Sequence, residues 1–268
     1  MGSPAEHDDE KFALHAGRAS SFGAHAAAYA EHRPDYPAAA IRWALAAVAD
    51  RRPLTVLDLG AGTGKLTQGL LEVGATVIAV EPDEHMRAEL TRRFPGVTAH
   101  AGAAEVIPLA DASVDAIVAG QAFHWFDLDR AYPEFVRVLR PGGVLAALWN
   151  TDDNSVDWVA GLKQVAESSV STALPPSGQI ELPTHPLFDK HEVERSTFPH
   201  RHRHRRTAES LTATIGTQSH TLVISPEERA EVLGRIMRYL RGRPETARGE
   251  FDLPLVTLAL RSTLRAAD

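Results

Sequence analysis

The chain predicts an α/β fold: a mostly parallel sheet of seven strands with helices on both faces and a C-terminal helical cap. Two observations carry that expectation. Between Leu54 and Asn150, short apolar runs alternate with helix-length stretches, the pattern of stacked βα units. The first run, Val56-Leu57-Asp58-Leu59, ends in Gly60-Ala61-Gly62-Thr63-Gly64, a strand that stops at a turn too tight for side chains. An acid, Glu81, follows seventeen residues later, where the next strand should end.

The expected core strands are Leu54–Leu59, Thr76–Glu81, Val97–His100, Val114–Ala119 and Gly143–Trp149. Helices are expected over Lys65–Val73, Asp83–Arg93 and Leu128–Leu139, with Gly74 as a C-terminal glycine cap and Pro141-Gly142-Gly143 turning the chain into the fifth strand. Ahead of them, alanine-rich Ala38–Ala49 reads as a helix covering the sheet, preceded by a proline-marked bend at Arg33-Pro34-Asp35-Tyr36-Pro37. Beyond Asn150, helices are expected at Val156–Val170, Ala208–Thr217 and Pro226–Arg241, and two more strands at Glu192–Arg203 and Phe251–Leu260. Leu174–Pro186, with four prolines, reads as an ordered loop. The organisation expected is a lid segment over 1–37, a ligand-binding core over 38–150, and cap helices with the last two strands over 151–268, all in one domain.

At 268 residues and 44% hydrophobic content, the chain can bury a full core. A net charge of -7 with no dominating basic tract argues against nucleic acid and against a polybasic membrane contact. The sequence has no cysteine, which removes disulfides, thiolate metal sites and cysteine nucleophiles. Met1–Lys11 is polar and acidic, and no segment approaches 18 uninterrupted apolar residues, so the reading is a cytoplasmic protein, monomer or homodimer, acting on a small molecule.

The glycine turn has three possible owners. A P-loop needs Gly, four residues, then Gly-Lys-Ser/Thr; here Leu59 stands in place of the first glycine and Leu66 in place of the hydroxyl. A dinucleotide fingerprint needs its third glycine where Lys65 stands. What remains is Asp58, then Gly60-x-Gly62-x-Gly64, with an acid at the end of the second strand. At this point the chain resembles the class I S-adenosylmethionine-dependent methyltransferases, whose fold is Rossmann-like. Glu81-Pro82-Asp83 through Met86, Gly102-Ala103-Ala104-Glu105 through Pro108, Asp115, Gln121-Ala122-Phe123-His124-Trp125-Phe126 and Arg137-Val138-Leu139-Arg140-Pro141-Gly142-Gly143 follow in the family's order. The resemblance covers roughly Phe22 to Asn150 and looks closest to the small-molecule branch that includes the trans-aconitate and ubiquinone/menaquinone-biosynthesis enzymes.

The resemblance implies S-adenosyl-L-methionine as cofactor and methyl transfer to a small-molecule acceptor, at a hydroxyl or carboxylate oxygen. Glu81 would accept both ribose hydroxyls, and Gly60, Ala61, Gly62 and Gly64 would let backbone approach the ligand. Asp58 would accept from the turn itself or, through water, from the cofactor's ammonium. Pro82 and Met86 would pack against adenine, with the backbone of Ala103 and Ala104 at its edge; many relatives carry an acid where Ala103 stands, and Glu105 is the nearby alternative. Gln121 would bond the methionine end. His124 is either a general base for a hydroxyl or a histidine fixing its loop by hydrogen bonds. Trp125, Phe126 and Trp149 either wall the acceptor pocket or belong to the core. In the lid, Phe22, Tyr29, Arg33 and Tyr36 match family positions; Arg33 would pair with the cofactor's carboxylate or with an acidic substrate, Tyr29 would hydrogen-bond beside it, and Tyr36 is assigned to the acceptor.

The run His200-Arg201-His202-Arg203-His204-Arg205 would put three histidines on one strand face, but with no further ligand nearby it reads as a charged edge strand, and no metal is expected. Two other functions share the glycine turn: a SAM-binding protein that transfers no methyl, such as a cyclase or regulator, and a nicotinamide-dependent oxidoreductase.

Overall fold

Small and branched apolar side chains make β1 (Thr55–Leu59) and β4 (Val114–Gly120) adjacent central strands, buried almost throughout. The computed structural model describes residues 34–169, 193–200, 204–216, 221 and 224–264. The remaining strands are β2 (Thr76–Val80), β3 (Thr98–His100), β5 (Leu139–Asp152), β6 (Glu194–Pro199), β7 (His204–Arg206), β8 (Phe251–Leu253) and β9 (Leu255–Thr263). Seven of them form one sheet in the order β3-β2-β1-β4-β5-β9-β6, and β7 pairs with β8 in a small antiparallel sheet.

β3, β2, β1, β4 and β5 run parallel; helices make the crossovers from β1 to β2, from β2 to β3 and from β4 to β5, while a loop over 101–113 joins β3 to β4. Those helices are α2 (Lys65–Glu72), α3 (Glu84–Arg93) and α4 (Leu128–Val138), with α1 (Ala38–Ala44) ahead of the first strand. The strand side chains sort by period two. Val56, Val118, Val144, Ala146 and Leu148 share a cluster with Ile41, Leu70 and Leu90 of α1, α2 and α3, whereas the buried Leu57, Leu59, Ile117 and Leu145 alternate with them and face the other side. On β1 the chain has its successor on one flank and β4 on the other. This reversal of strand order is where open α/β sheets bind ligands, at the carboxyl ends.

The described residues fall into two compact units: 34–150, 193–198 and 257–264 in the first, and 151–169 with the described part of 199–256 in the second. The second is built from α5 (Asp157–Val165), α6 (Ala208–Gly216) and α7 (Pro226–Arg241), whose Trp158, Leu162, Leu211, Ile236 and Leu240 pack with Phe251 and Leu253 of β8. Ser225 caps α7 by accepting from the Glu228 amide, and Pro226 follows at its first turn.

Several boundaries differ from the sequence expectation. Ala38–Ala49 is a seven-residue helix followed by a 3₁₀ turn, Ala46–Val48, which carries Val48 fully into the core. The Pro141-Gly142-Gly143 turn is present, but inside β5: two steps along β4 from Val114 to Ala116 are matched by five along β5 from Leu139 to Val144. The expected strand Glu192–Arg203 ends at Pro199, which has no N–H for a ladder, and Arg201–Arg203 lie outside the described residues. Phe251–Leu260 is two strands because Pro254 interrupts it, β8 joining β7 and β9 joining the main sheet. Gly74 does cap α2, with φ at 89° and its N–H on the Leu71 carbonyl at 2.9 Å. The lid residues Phe22, Tyr29 and Arg33, the loop Leu174–Pro186 and His202 lie outside the described residues.

The amino end of β4 is held by charge. Asp115, 2% exposed, accepts from the Thr55 amide at 2.8 Å and pairs with Arg51 and Arg140 at 2.9 Å each. Burial alone would raise its carboxyl, but the Thr55 amide and the two guanidinium groups more than offset that, and it sits below the ordinary carboxylate value. A carboxyl lowered in this way contributes stability that is present at neutral pH and lost as pH falls through the folded value. Asp115→Ala should therefore cost about 3 kcal/mol in urea unfolding at pH 7, with a smaller deficit in acid. An equal deficit at both pH values would contradict the ionic account.

Candidate functional site

The site grows from the turn after β1. When β1 ends, the amides of Gly60 and Ala61 bond the Val80 carbonyl of β2 at 2.9 and 3.2 Å, so the turn is laid across the next strand. Gly62 has φ at 56°, and a Cβ added there would meet nothing nearer than Met86 Sδ at 3.8 Å. The space in front of it is open. A Cβ on Gly60 would instead lie 2.6 Å from the Ala122 side chain, so only glycine lets the segment after β4 close on the turn.

Glu81 locks this geometry. Its Oε2 accepts from the Gly62 amide at 2.8 Å and its Oε1 from the Asp83 amide at 2.9 Å, while Asp83 caps α3 through the Met86 amide at 2.9 Å. Glu81 is 6% exposed, and burial pushes its carboxyl up, partly countered by the two amides. Each carboxylate oxygen retains a second lone pair.

Asp58, on β1, is fully buried beneath the first turns of α2, where Thr67 Oγ1 donates to its Oδ2 at 2.5 Å. Among the described residues its buried Oδ1 has no hydrogen-bond partner, nor does the buried hydroxyl of Thr63. Burial first, and the Glu81 charge to a lesser degree, push the Asp58 carboxyl up to about 7, against the Thr67 hydrogen bond. Among the described residues, neither Asp58 nor Glu81 forms an ion pair.

The segment after β4 forms the facing wall. Gln121 has φ at 56°, an outlier for a residue with a side chain; its N–H bonds the Leu148 carbonyl and its Nε2 the Asn150 carbonyl at 2.8 Å. Asn150 in turn accepts from Thr257 Oγ1 at 2.6 Å and donates to the Pro34 carbonyl at 3.2 Å. His124 is exposed in the middle of the 3₁₀ turn Phe123–Trp125, its ring 4.8 Å from Trp125, and the Trp149 indole N–H is directed at its Nδ1 at 3.4 Å. Trp149 itself is 5% exposed, in edge contact with Phe123, whose ring also meets Phe126 and Phe135. Tyr36 is buried with its hydroxyl against Gly120.

The expected site residues thus divide. Asp58, the glycines, Ala61, Glu81, Met86, Gln121 and Ala122 converge around the carboxyl ends of β1, β2 and β4, with Pro82 exposed beside them. Ala104 is buried and Ala103 half-buried, but Glu105 Oε1 is occupied by the Asp127 amide at 2.8 Å and serves to tie the loop ahead of α4. Phe126 and Trp149 belong to an aromatic floor; His124 and Trp125 are the groups at the surface of that wall. Sequence reasoning missed Thr63, Thr67 and Asn150, small polar residues with no spacing signal. Among the described residues no cluster of His, Asp or Glu could hold a metal, and no helix is long and apolar enough to cross a membrane.

Residues 57–147 match the family model described as a methyltransferase domain. An uncharacterized methyltransferase of Mycobacterium tuberculosis is 39% identical over 246 residues, 91% of this chain and 96% of its own length. The malonyl-[acyl-carrier protein] O-methyltransferase of Methylococcus capsulatus is 46% identical over 101 residues, 35% of this chain and 36% of that protein. Among solved structures, a type II methyltransferase from Anaeromyxobacter dehalogenans superposes with a TM-score of 0.65 at 30% identity, covering 87% of this chain and 97% of that one.

Two tests follow from the turn. Gly62→Ala should cost only about 1 kcal/mol of stability, the penalty of φ at 56°, yet weaken binding of S-adenosylhomocysteine more than tenfold, since its methyl enters the open space. Full-strength calorimetric binding by a folded Gly62→Ala protein would remove the turn from the ligand. The second concerns Asp58. An acid whose folded pKa is raised favours the fold below its ordinary pKa and loses that contribution as pH rises toward about 7. The ligand-free protein should lose stability across that window at up to about 1.4 kcal/mol per pH unit, and Asp58→Asn should flatten the loss. Identical pH slopes in thermal unfolding would locate the titration elsewhere.

Proposed function

The chain belongs to the S-adenosylmethionine-dependent methyltransferases, and from that premise we propose that its acceptor is a small molecule methylated on oxygen. The observation that carries this reading is the pairing of an open glycine turn, bounded by two buried carboxylates that form no ion pair among the described residues, with an imidazole exposed on the facing wall.

The residues present fit the cofactor. S-adenosylmethionine supplies an electrophilic methyl on a sulfonium, and it also carries an ammonium and a ribose diol. Glu81, already oriented by two backbone amides, has one lone pair left on each oxygen for the two ribose hydroxyls. Asp58 offers the unpartnered Oδ1 toward positive charge, directly or through water, and Thr63 offers an unpartnered hydroxyl. A cationic ligand favours the ionised form of Asp58, so binding releases a proton near neutrality and relieves the cost of the buried carboxylate. Met86, buried beside Gly62, gives a polarizable thioether face for adenine, with Pro82 next to it. Gln121, held in the left-handed region by the Leu148 and Asn150 carbonyls, fixes the wall opposite the turn.

For the transfer itself the chain has to align an acceptor and keep water away, which needs few groups. His124 and Trp125 are the candidates that touch the acceptor, over the floor of Phe123, Phe126 and Trp149. Oxygen is favoured over nitrogen because the wall presents a hydrogen-bonding imidazole, and because a relative bears an O-methyltransferase name.

Glu81→Ala should weaken calorimetric binding of S-adenosylmethionine at least about tenfold, about 1.4 kcal/mol or more, without unfolding the protein. The functional reading is tested by a screen of hydroxylated and carboxylated acceptors with mass-spectrometric location of the methyl. Acceptor-dependent formation of S-adenosylhomocysteine with an O-methyl product is expected; cofactor binding with no acceptor-dependent turnover would identify a binding module, and an N-methyl product would overturn the choice of atom.

A further inference from the structure

We infer that Arg93, the last residue of α3, is a positioning residue for the cofactor: by holding the Thr63 carbonyl it keeps the peptide between Thr63 and Gly64 in the orientation the ligand meets. The inference rests on S-adenosylmethionine binding at the glycine turn, but the hold of Arg93 on that turn is read without turnover.

The need arises at Gly64. Its φ is 85°, and a Cβ there would lie 2.6 Å from the Phe94 ring and 3.2 Å from Leu90, so the close approach of α3 to the turn demands glycine. Glycine accepts either sign of φ, so turning over the 63–64 peptide has little steric cost and the turn lacks the stiffness a side chain would give. Two hydrogen bonds hold that peptide, one at each end. The Gly64 N–H donates to the Ala61 carbonyl at 2.9 Å, and the Thr63 carbonyl accepts from Arg93 Nη1 at 2.8 Å.

An arginine in the last turn of a helix ordinarily serves the helix itself, as the exposed Arg92 does by pairing with Glu89. Arg93 instead reaches back thirty residues in sequence. Its guanidinium is 5.0 Å from the Phe94 ring centroid, and its Nη2 is directed at Gln68 Oε1 of α2 at 3.4 Å, so the donor is braced by both helices. The turn is thereby gripped at both ends of α3: Glu81, beside the Asp83 cap, takes the Gly62 amide, and Arg93 takes the Thr63 carbonyl. A turn whose 63–64 peptide samples a second orientation is competent for only a fraction of the time, and the apparent affinity falls by that fraction.

The test uses the full chain with S-adenosylhomocysteine as the probe. Arg93→Met keeps a long stem beside Phe94 and removes the donor, whereas Arg93→Lys keeps a charged donor. The Met variant should weaken calorimetric binding about tenfold, the scale of a lost charge-assisted hydrogen bond, and the Lys variant should stay within about threefold of wild type. Arg92→Met should bind as wild type does. In the ligand-free protein, ¹⁵N relaxation dispersion at the Gly64 amide should appear in Arg93→Met and vanish on saturation with the probe, which an arginine that only stabilises its helix would not produce. Equal binding by the Met and Lys variants would assign the contact to packing, and a quiet Gly64 amide in Arg93→Met would show a turn that had not loosened; either result overturns the inference. A wild type that fails to bind the probe refutes the cofactor site instead, and the Gly64 amide still decides whether Arg93 holds the turn.

Discussion

The contact on which the site depends is the carboxylate of Glu81 bridging the amides of Gly62 and Asp83. It joins the turn after β1, nineteen residues away in sequence, to the end of β2 and the adjoining cap of α3. A side chain at Gly62 would strain the turn, and an apolar residue at position 81 would leave two amides without their acceptor. The strands beneath supply the rigidity: β1 and β4 are buried almost throughout, and the strand order reverses at β1/β4, the point beside whose carboxyl ends open α/β sheets bind ligands.

That contact also sets an electrostatic problem. Glu81 and Asp58 are both buried, both raised by desolvation, and neither has an ion-pair partner among the described residues. Contrast Asp115 at the other end of the sheet, where two arginines and an amide neutralise an equally buried acid and the carboxyl is lowered. The amino pole of the sheet thus carries its own counter-ions, whereas among the described residues Asp58 and Glu81 form no ion pair at the carboxyl pole. On the proposed reading, a ligand bearing an ammonium and a sulfonium would bring positive charge to that pole on binding.

Much of this was legible in the sequence because it depends on residues with few alternatives. Alternate glycines after an apolar run, an acid at the end of the next strand, and Gly74 after a helix each answer a local steric demand, and the structure meets them at those positions. Sequence periodicity also gave the order of βα units correctly. It failed where a single imino acid decides: Pro254 divides what read as one strand into β8 and β9, which belong to different sheets, and the strand expected over Glu192–Arg203 stops at Pro199. Thr67, Thr63 and Asn150 were invisible because a threonine or asparagine has many ordinary uses, and only three-dimensional neighbours give them one. His124 could be placed on the loop after β4 from sequence, but the nitrogen that faces Trp149 belongs to tertiary packing alone.

Where the cofactor sits is decided by a crystal structure of the complex with S-adenosylhomocysteine. Both ribose hydroxyls should lie within hydrogen-bond reach of Glu81, with the Gly62 amide still on that carboxylate, and the ligand ammonium should reach Asp58 Oδ1 directly or through one water. A ligand bound away from the glycine turn, or one whose ribose leaves Glu81 uncontacted, would contradict this placement.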